Sequence, residues 1–126
     1  MEAHKKILVA DDEEDIKMVL QMYLENCGFE VVTAFDGLDA VSKIQETQPD
    51  LILMDIMMPV IDGIEVTRQI KSSEDTKGIP VVMLTAAAQS TMVEKAMAAG
   101  ASDYIAKPFE PETVLATIQK ILGAED

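Results

Sequence analysis

Three carboxylates, a hydroxyl and an ammonium each follow a short apolar run of the chain. They belong to Asp11, Asp12, Asp55, Thr85 and Lys107. Asp55 closes the apolar run Leu51–Met54, and a carboxylate buried there is unfavourable unless it is paired, solvated in a cleft or bound to a metal. We therefore interpret these five residues as one functional site rather than as unrelated surface groups.

Carboxylates that lie close together favour a bound cation. Two of them about 4 Å apart repel by roughly 4 kcal/mol at an effective dielectric of about 20, and a third adds to the repulsion. Mg²⁺ takes oxygen ligands, usually one or two carboxylates, and shares phosphate oxygens. Lys107 would provide a counter-charge for a phosphoryl group and Thr85 a hydrogen bond. This set of residues predicts metal-assisted phosphoryl transfer to or from a carboxylate.

Five β-rich runs alternate with stretches that have helical spacing of apolar residues. The β-rich runs are Ile7–Ala10, Val31–Ala34, Leu51–Met54, Val81–Leu84 and Tyr104–Ala106. The predicted helices span Ile16 to Cys27 before Gly28, about Leu38–Thr47, about Ile64–Ser72, the stretch around Val93 to Met97 before Gly100, and Pro111–Leu122 before Gly123. The alternation predicts an α/β fold, a doubly wound parallel sheet of five strands with helices on both faces. Such sheets place their sites at the carboxyl ends of the strands, where the five polar residues fall.

Composition limits the number of domains and the classes of partner. The 126 residues, 48% apolar and 26% charged, predict one globular domain. Acidic residues outnumber Lys and Arg by 23 to 10, for a formal charge of −13, so we expect no binding to nucleic acid. We expect no membrane span, because no apolar run approaches the ~20 residues it needs. The single cysteine, Cys27, excludes an internal disulfide and is typical of a reducing cytosol, which predicts a cytoplasmic location.

Four segments resemble the receiver domain of two-component response regulators, in particular its single-domain, chemotaxis-regulator-like members. They are ILVADDEED from Ile7, PDLILMDIMMPVIDG from Pro49, IPVVMLTA from Ile79 and GASDYIAKPF from Gly100. The resemblance extends from about residue 5 to residue 122, the core of a single domain spanning residues 1–126. It implies a flavodoxin-like (βα)5 fold with the strand order 2-1-3-4-5.

The resemblance also implies an acceptor and a metal site. Asp55 would accept a phosphoryl group from a histidine kinase or a histidine phosphotransfer protein. Mg²⁺, or Mn²⁺, would be bound directly by Asp12 and largely through water by Asp11. Asp55 and the backbone carbonyl of Met57 would complete the protein ligands.

A switch follows from the same resemblance. Thr85 and Lys107 would hold the phosphoryl oxygens, Tyr104 matches the family's switch aromatic, and Lys107-Pro108 matches the position of its cis peptide. An unknown output protein would bind the face formed by the fourth helix, fifth strand and fifth helix, about Gln89–Ala99, Tyr104–Ala106 and Pro111–Leu122. The chain would thus be a signalling switch rather than an enzyme, although it promotes its own phosphorylation and dephosphorylation. We expect a monomer or a phosphorylation-dependent dimer.

A free-standing receiver has three alternatives. A haloacid-dehalogenase-like phosphohydrolase would carry its nucleophile in an Asp-x-Asp pair after the first strand, whereas Asp55 follows the third. A flavodoxin-like cofactor binder would have a hydroxyl-rich phosphate loop after the first strand, where this chain has five acidic residues. The third alternative, a receiver excised from a longer regulator or hybrid kinase, stays open.

Other conspicuous residues are interpreted as structural. We predict Cys27, Met83 and Met97 to be buried apolar groups, and Met57 and Met58 to line the rim of the site. We predict that the acidic residues Glu13, Glu14 and Asp15 form a solvated helix cap. Gly63 is predicted to serve a backbone turn, and His4 to lie in the N-terminal tail.

Overall fold

Five strands alternate with five helices in the computed structural model, which describes residues 4–86 and 90–123. The strands are β1 (Lys6–Ala10), β2 (Glu30–Ala34), β3 (Leu51–Asp55), β4 (Val81–Thr85) and β5 (Asp103–Ala106). The helices are α1 (Glu14–Asn26), α2 (Gly37–Thr47), α3 (Gly63–Lys71), α4 (Ser90–Ala98) and α5 (Pro111–Leu122). The alternation predicted from apolar periodicity is confirmed. The predicted beginning of the fourth helix, Gln89, lies outside the described residues.

The strands form one parallel sheet in the order β2-β1-β3-β4-β5, which confirms the strand order implied by the resemblance. Ala10 pairs with Met54, so the carboxyl ends of β1 and β3 lie side by side. Thr85 pairs with Ala106, which aligns the ends of β4 and β5 in the same way. The register therefore brings Asp11 next to the end of β3, and Lys107 next to the end of β4.

Two apolar layers cover the two faces of the sheet, because successive strand side chains point to opposite faces. In β3 every residue is buried: Ile52 and Met54 belong to the layer under α2, α3 and α4. Leu51 and Leu53 belong to the layer under α1 and α5. A strand buried on both faces is continuously apolar, which is why its sequence showed no polar alternation before Asp55.

Helix ends follow local sequence signals. The Asp36 and Asp62 carboxylates cap α2 and α3 by accepting hydrogen bonds from the amides of Asp39 and Glu65 at 2.8 and 2.9 Å. Gly123 ends α5 in the left-handed conformation, with a φ of 64°, as is common for a glycine after a helix. No helix within residues 4–86 and 90–123 is long and apolar enough to cross a membrane.

Two predictions of burial are wrong. Cys27 is exposed, because α1 ends at Asn26 and the cysteine lies beyond the last full turn of the buried face. Met97 is 43% exposed, whereas its neighbour in α4, Ala96, is buried in the core. Met83 is fully buried, as predicted.

Candidate functional site

Three carboxylates converge at the carboxyl edge of the sheet. Asp11 follows β1 directly and Asp55 is the last residue of β3; both side chains are buried, whereas Asp12 is exposed. One carboxylate oxygen from each of Asp11, Asp12 and Asp55 lies within 4.8 Å of the other two. The structure therefore places the three predicted acidic residues in a single cluster.

Lys107 carries the positive charge nearest to this cluster that the structure describes. Its Nζ lies 3.0 Å from Asp11 Oδ2 and 3.5 Å from Asp55 Oδ1. Glu13 Oε1 lies 3.6 Å away from the same Nζ. Burial lowers the pKa of Lys107, but the contact with Asp11 and the charges of Asp11, Asp55 and Glu13 outweigh it and raise the pKa. The ammonium therefore stays charged between the carboxylates.

The two oxygens of Asp11 have different partners. Oδ1 accepts a hydrogen bond from the amide of Glu13 at 2.9 Å, which ties the carboxylate to the residue at the N-cap position of α1. Oδ2 is buried, and its contact is the ion pair with the Lys107 ammonium at 3.0 Å. A buried carboxylate oxygen that accepts no hydrogen bond can coordinate a bound cation or accept a hydrogen bond from a ligand.

Asp55 holds a proton more strongly than an ordinary aspartate. Burial, the negative charge of Asp11 and a hydrogen bond with Asp12 raise its pKa from 3.8 to about 7. The charge of Lys107 and the amide of Met57, 3.3 Å from Asp55 Oδ1, act in the opposite direction without cancelling the effect. A bound cation would supply the missing positive charge, and oxygen donors are the ligands that hard divalent cations take. The carboxylates thus fit such a cation.

Thr85 and Tyr104 lie on the neighbouring strands. Thr85 is buried at the end of β4, and its carbonyl accepts a hydrogen bond from the amide of Lys107 at 2.7 Å. Tyr104, on β5, pairs with Met83 of β4 and is 40% exposed. The peptide bond between Lys107 and Pro108 is cis, at the position indicated by the resemblance.

The loop after β3 approaches the site closely. A Cβ on Gly63 would lie 2.2 Å from the carbonyl oxygen of Asp55, and the Gly63 amide donates to the Ile56 carbonyl at 2.8 Å. The glycine is therefore needed for a close backbone approach rather than for the turn conformation that we predicted. Of the two methionines predicted at the rim, Met57 is exposed and Met58 is buried.

Glu13 is the site residue that the sequence interpretation missed. The sequence predicts a solvated helix cap for it, and it does occupy the N-cap position of α1 and is exposed, although its side chain makes no capping hydrogen bond. Its carboxylate also reaches the Lys107 ammonium. Only the run of acidic residues after β1 could have indicated this contact.

The sequence matches a known protein family. The family profile described as the response regulator receiver domain matches residues 7–119. The chain belongs to this family. Membership confirms the family resemblance and favours it over the phosphohydrolase and the cofactor binder.

Other receiver-containing proteins resemble the chain over nearly its whole length. It is 44% identical over 119 residues to the alkaline phosphatase synthesis transcriptional regulatory protein PhoP of Bacillus subtilis, covering 94% of this chain and 49% of that protein. This receiver chain thus spans about half the length of such curated relatives, and the alternative of a larger parent protein stays open.

Solved structures share the fold closely. The chemotaxis protein CheY4 of Vibrio cholerae superposes with a TM-score of 0.90 at 35% identity, covering 94% of this chain and 99% of that one. The receiver domain of a sensor histidine kinase from Pseudomonas aeruginosa superposes with a TM-score of 0.89 at 34% identity, covering 97% and 100%. That structure contains a magnesium ion coordinated in the active site cleft.

Proposed function

We propose that this receiver accepts a phosphoryl group on Asp55 in a reaction that depends on Mg²⁺ or Mn²⁺. The observation that carries the proposal is a buried carboxylate with an ammonium 3.5 Å away and two further carboxylates beside it. An Asp55 oxygen would form a bond to phosphorus while the bond between phosphorus and the donor nitrogen breaks. The released histidine ring keeps the electron pair of that bond, so no external oxidant or reductant is needed.

Asp11, Asp12, Asp55 and the backbone carbonyl of Met57 would hold the cation. The buried Asp11 oxygen without a hydrogen bond and the cluster of oxygen donors support this assignment. When bound, the cation neutralises charge on the transferring phosphoryl group.

Lys107 and Thr85 would bind the phosphoryl oxygens. The Lys107 ammonium is already held between Asp11 and Asp55, so it can contact a phosphoryl group on Asp55 without a large movement. Charge-assisted hydrogen bonds of this kind are about twice as strong as neutral ones. We propose that Thr85 moves toward the phosphoryl group and that Tyr104 then changes its packing.

The chain would act as a signalling switch within a domain spanning residues 1–126 with its core at about 5–122. Its phosphoryl donor would be a histidine kinase or a histidine phosphotransfer protein in the cytoplasm. An output protein would read the state of the α4–β5–α5 face, with the chain as a monomer or as a phosphorylation-dependent dimer. The membership in a signalling family supports this role over that of an enzyme with a separate substrate.

Mass spectrometry tests the acceptor. Incubation with acetyl phosphate and Mg²⁺ should add one phosphoryl group to the wild-type chain and none to Asp55→Asn. Asp75→Asn is the matched control, because Asp75 is exposed in the loop after α3, and it should be labelled like the wild type. Equal labelling of Asp55→Asn and the wild type would contradict the proposal.

A further inference from the structure

Four large apolar side chains near the acceptor site are more exposed than buried, and one of them is Met57 at 65%, two residues after Asp55. The other three are Phe35 at 57%, Leu38 at 59% and Val60 at 66%, and we call these three the apolar patch. Phe35 follows β2, Leu38 lies in the first turn of α2, and Val60 lies in the loop between β3 and α3. Exposed apolar side chains that cluster often mark interaction sites.

A tight backbone contact joins the two segments that carry the patch. A Cβ on Gly37 would lie 2.1 Å from the carbonyl oxygen of Ile61 and 2.4 Å from its Cγ1. Gly37 precedes Leu38 and Ile61 follows Val60, so Leu38 and Val60 each lie one residue from this contact. Only glycine permits such a close approach at this position.

The backbone around the patch is held in place. Val60 has a φ of 76°, a conformation that is a genuine outlier for a β-branched residue. Strain of this kind persists where the surrounding structure over-determines it, and it concentrates at functional sites. On the other segment, the Phe35 amide donates to Asp39 Oδ2 at 3.1 Å. The backbone at both segments of the apolar patch is therefore held in one conformation.

The charges around the patch are negative. Asp36, Asp39 and Asp62 belong to the two segments that carry it, and the Asp62 side chain is exposed. Lys43 neutralises one of these charges, because its Nζ lies 3.3 Å from Asp39 Oδ2, which leaves Asp36 and Asp62 as the uncompensated acidic groups of the two segments. A second copy of the chain docked at this patch through its own acidic surface would be repelled, since each copy carries a formal charge of −13.

We infer that the apolar patch is a docking surface for a partner helix that presents apolar side chains flanked by lysine or arginine. The apolar centre and the acidic surroundings match such a helix in both respects. The inference goes beyond the proposed phosphoryl transfer and does not depend on it, since the patch is exposed in the unphosphorylated chain.

A titration followed by amide chemical shifts tests the inference. The probe is a synthetic amphipathic helix of leucine and lysine, about 18 residues or five turns long, with a leucine and glutamate helix as its control. At about 150 mM salt, where long-range attraction is screened, the lysine helix should shift the amides of Phe35, Leu38 and Val60 most. The glutamate helix should shift none of them.

Two double variants decide whether the patch carries the binding. Leu38→Ser with Val60→Asn should weaken the lysine helix at least about tenfold, equivalent to 1.4 kcal/mol. Asparagine tolerates a positive φ, so Val60→Asn alone should not lower the melting temperature, which separates lost binding from lost folding. The matched control is Met18→Ser with Met22→Ser, which changes two exposed apolar residues of α1 and should leave the affinity within about twofold.

Three outcomes would overturn the inference. They are shifts spread over the whole acidic surface, unchanged affinity in Leu38→Ser with Val60→Asn, or concentration-dependent dimers that hide the patch. Labelling by acetyl phosphate should be normal in the same variant, so a failed docking test and a failed acceptor test are distinguishable.

Discussion

At the scale of single residues, Asp55 combines burial with repulsion by neighbouring carboxylates. Its pKa of about 7 lies above the ordinary value of 3.8, so between these values the folded state binds a proton that the unfolded state has lost. Stability falls with rising pH wherever the folded state binds more protons. Asp55 therefore leaves stability unaffected below about pH 4, reduces it progressively from there to about pH 7, and reduces it by a constant amount above.

Removing this carboxylate should stabilise the metal-free chain more at high pH than at low pH. We expect Asp55→Asn to gain about 1–2 kcal/mol more at pH 8 than at pH 5, or about 3–6 °C in melting temperature. Asp11 still neutralises Lys107 in the variant, so no charge is left unpaired. Thermal unfolding in chelator at both pH values measures the gain. Asp75→Asn should show no such difference, and a larger gain for Asp55→Asn at pH 5 would refute the assignment.

At the scale of elements, the beginning of α3 is fixed against the end of β3. Gly63→Ala should destabilise the fold by about 1–3 kcal/mol, the usual range for overpacking, because the new Cβ would meet the Asp55 carbonyl oxygen at 2.2 Å. Gly78→Ala is the control, since a Cβ there meets nothing within 4 Å. Denaturant unfolding of both variants measures the effect, and equal stabilities would show that α3 shifts without penalty.

Coupling between β4 and the output face belongs to the same scale. Thr85→Ala should still accept a phosphoryl group on Asp55, because the hydroxyl is not the nucleophile, but much of the response in α4, β5 and α5 should be lost. The two states of a switch differ by only a few kcal/mol, so the loss of one charge-assisted hydrogen bond of about 1.5–3 kcal/mol is enough to weaken it. Amide shifts with and without beryllofluoride, a phosphoryl mimic, measure the response. Shifts identical to those of the wild type would exclude the hydroxyl as the coupling group.

Element order was predictable from the sequence because each strand and helix has its own apolar period. The ends of elements and the contacts between them were less predictable. Cys27 continued the apolar period of α1 but lies past its last residue. The positive φ of Val60 and the contact of Gly37 with Ile61 depend on neighbours distant in sequence. The carboxylates were foreseen together because parallel strands end at one edge, but the raised pKa of Asp55 required their actual separation and burial.

At the scale of the whole molecule, the excess of acidic residues complicates any test of metal binding. A chain with a formal charge of −13 is stabilised by any salt that screens its self-repulsion. A cation that binds specifically raises the free energy of unfolding further, by an amount that depends on its affinity for the folded state. At a free cation concentration of about ten times the dissociation constant, this increase is about 1.4 kcal/mol.

Comparing salts at equal ionic strength separates the two effects. MgCl₂ at about 10 mM and NaCl at about 30 mM screen charges similarly, so a larger rise in melting temperature with Mg²⁺, about 3–5 °C, would measure specific binding. Asp12→Ala should abolish this extra rise and keep the response to NaCl, since Asp12 is an exposed member of the carboxylate cluster. Without Mg²⁺ the variant should be at least as stable as the wild type, because one of three mutually repelling charges is gone. An equal Mg²⁺ response in both proteins would show that the cation binds elsewhere on the acidic surface.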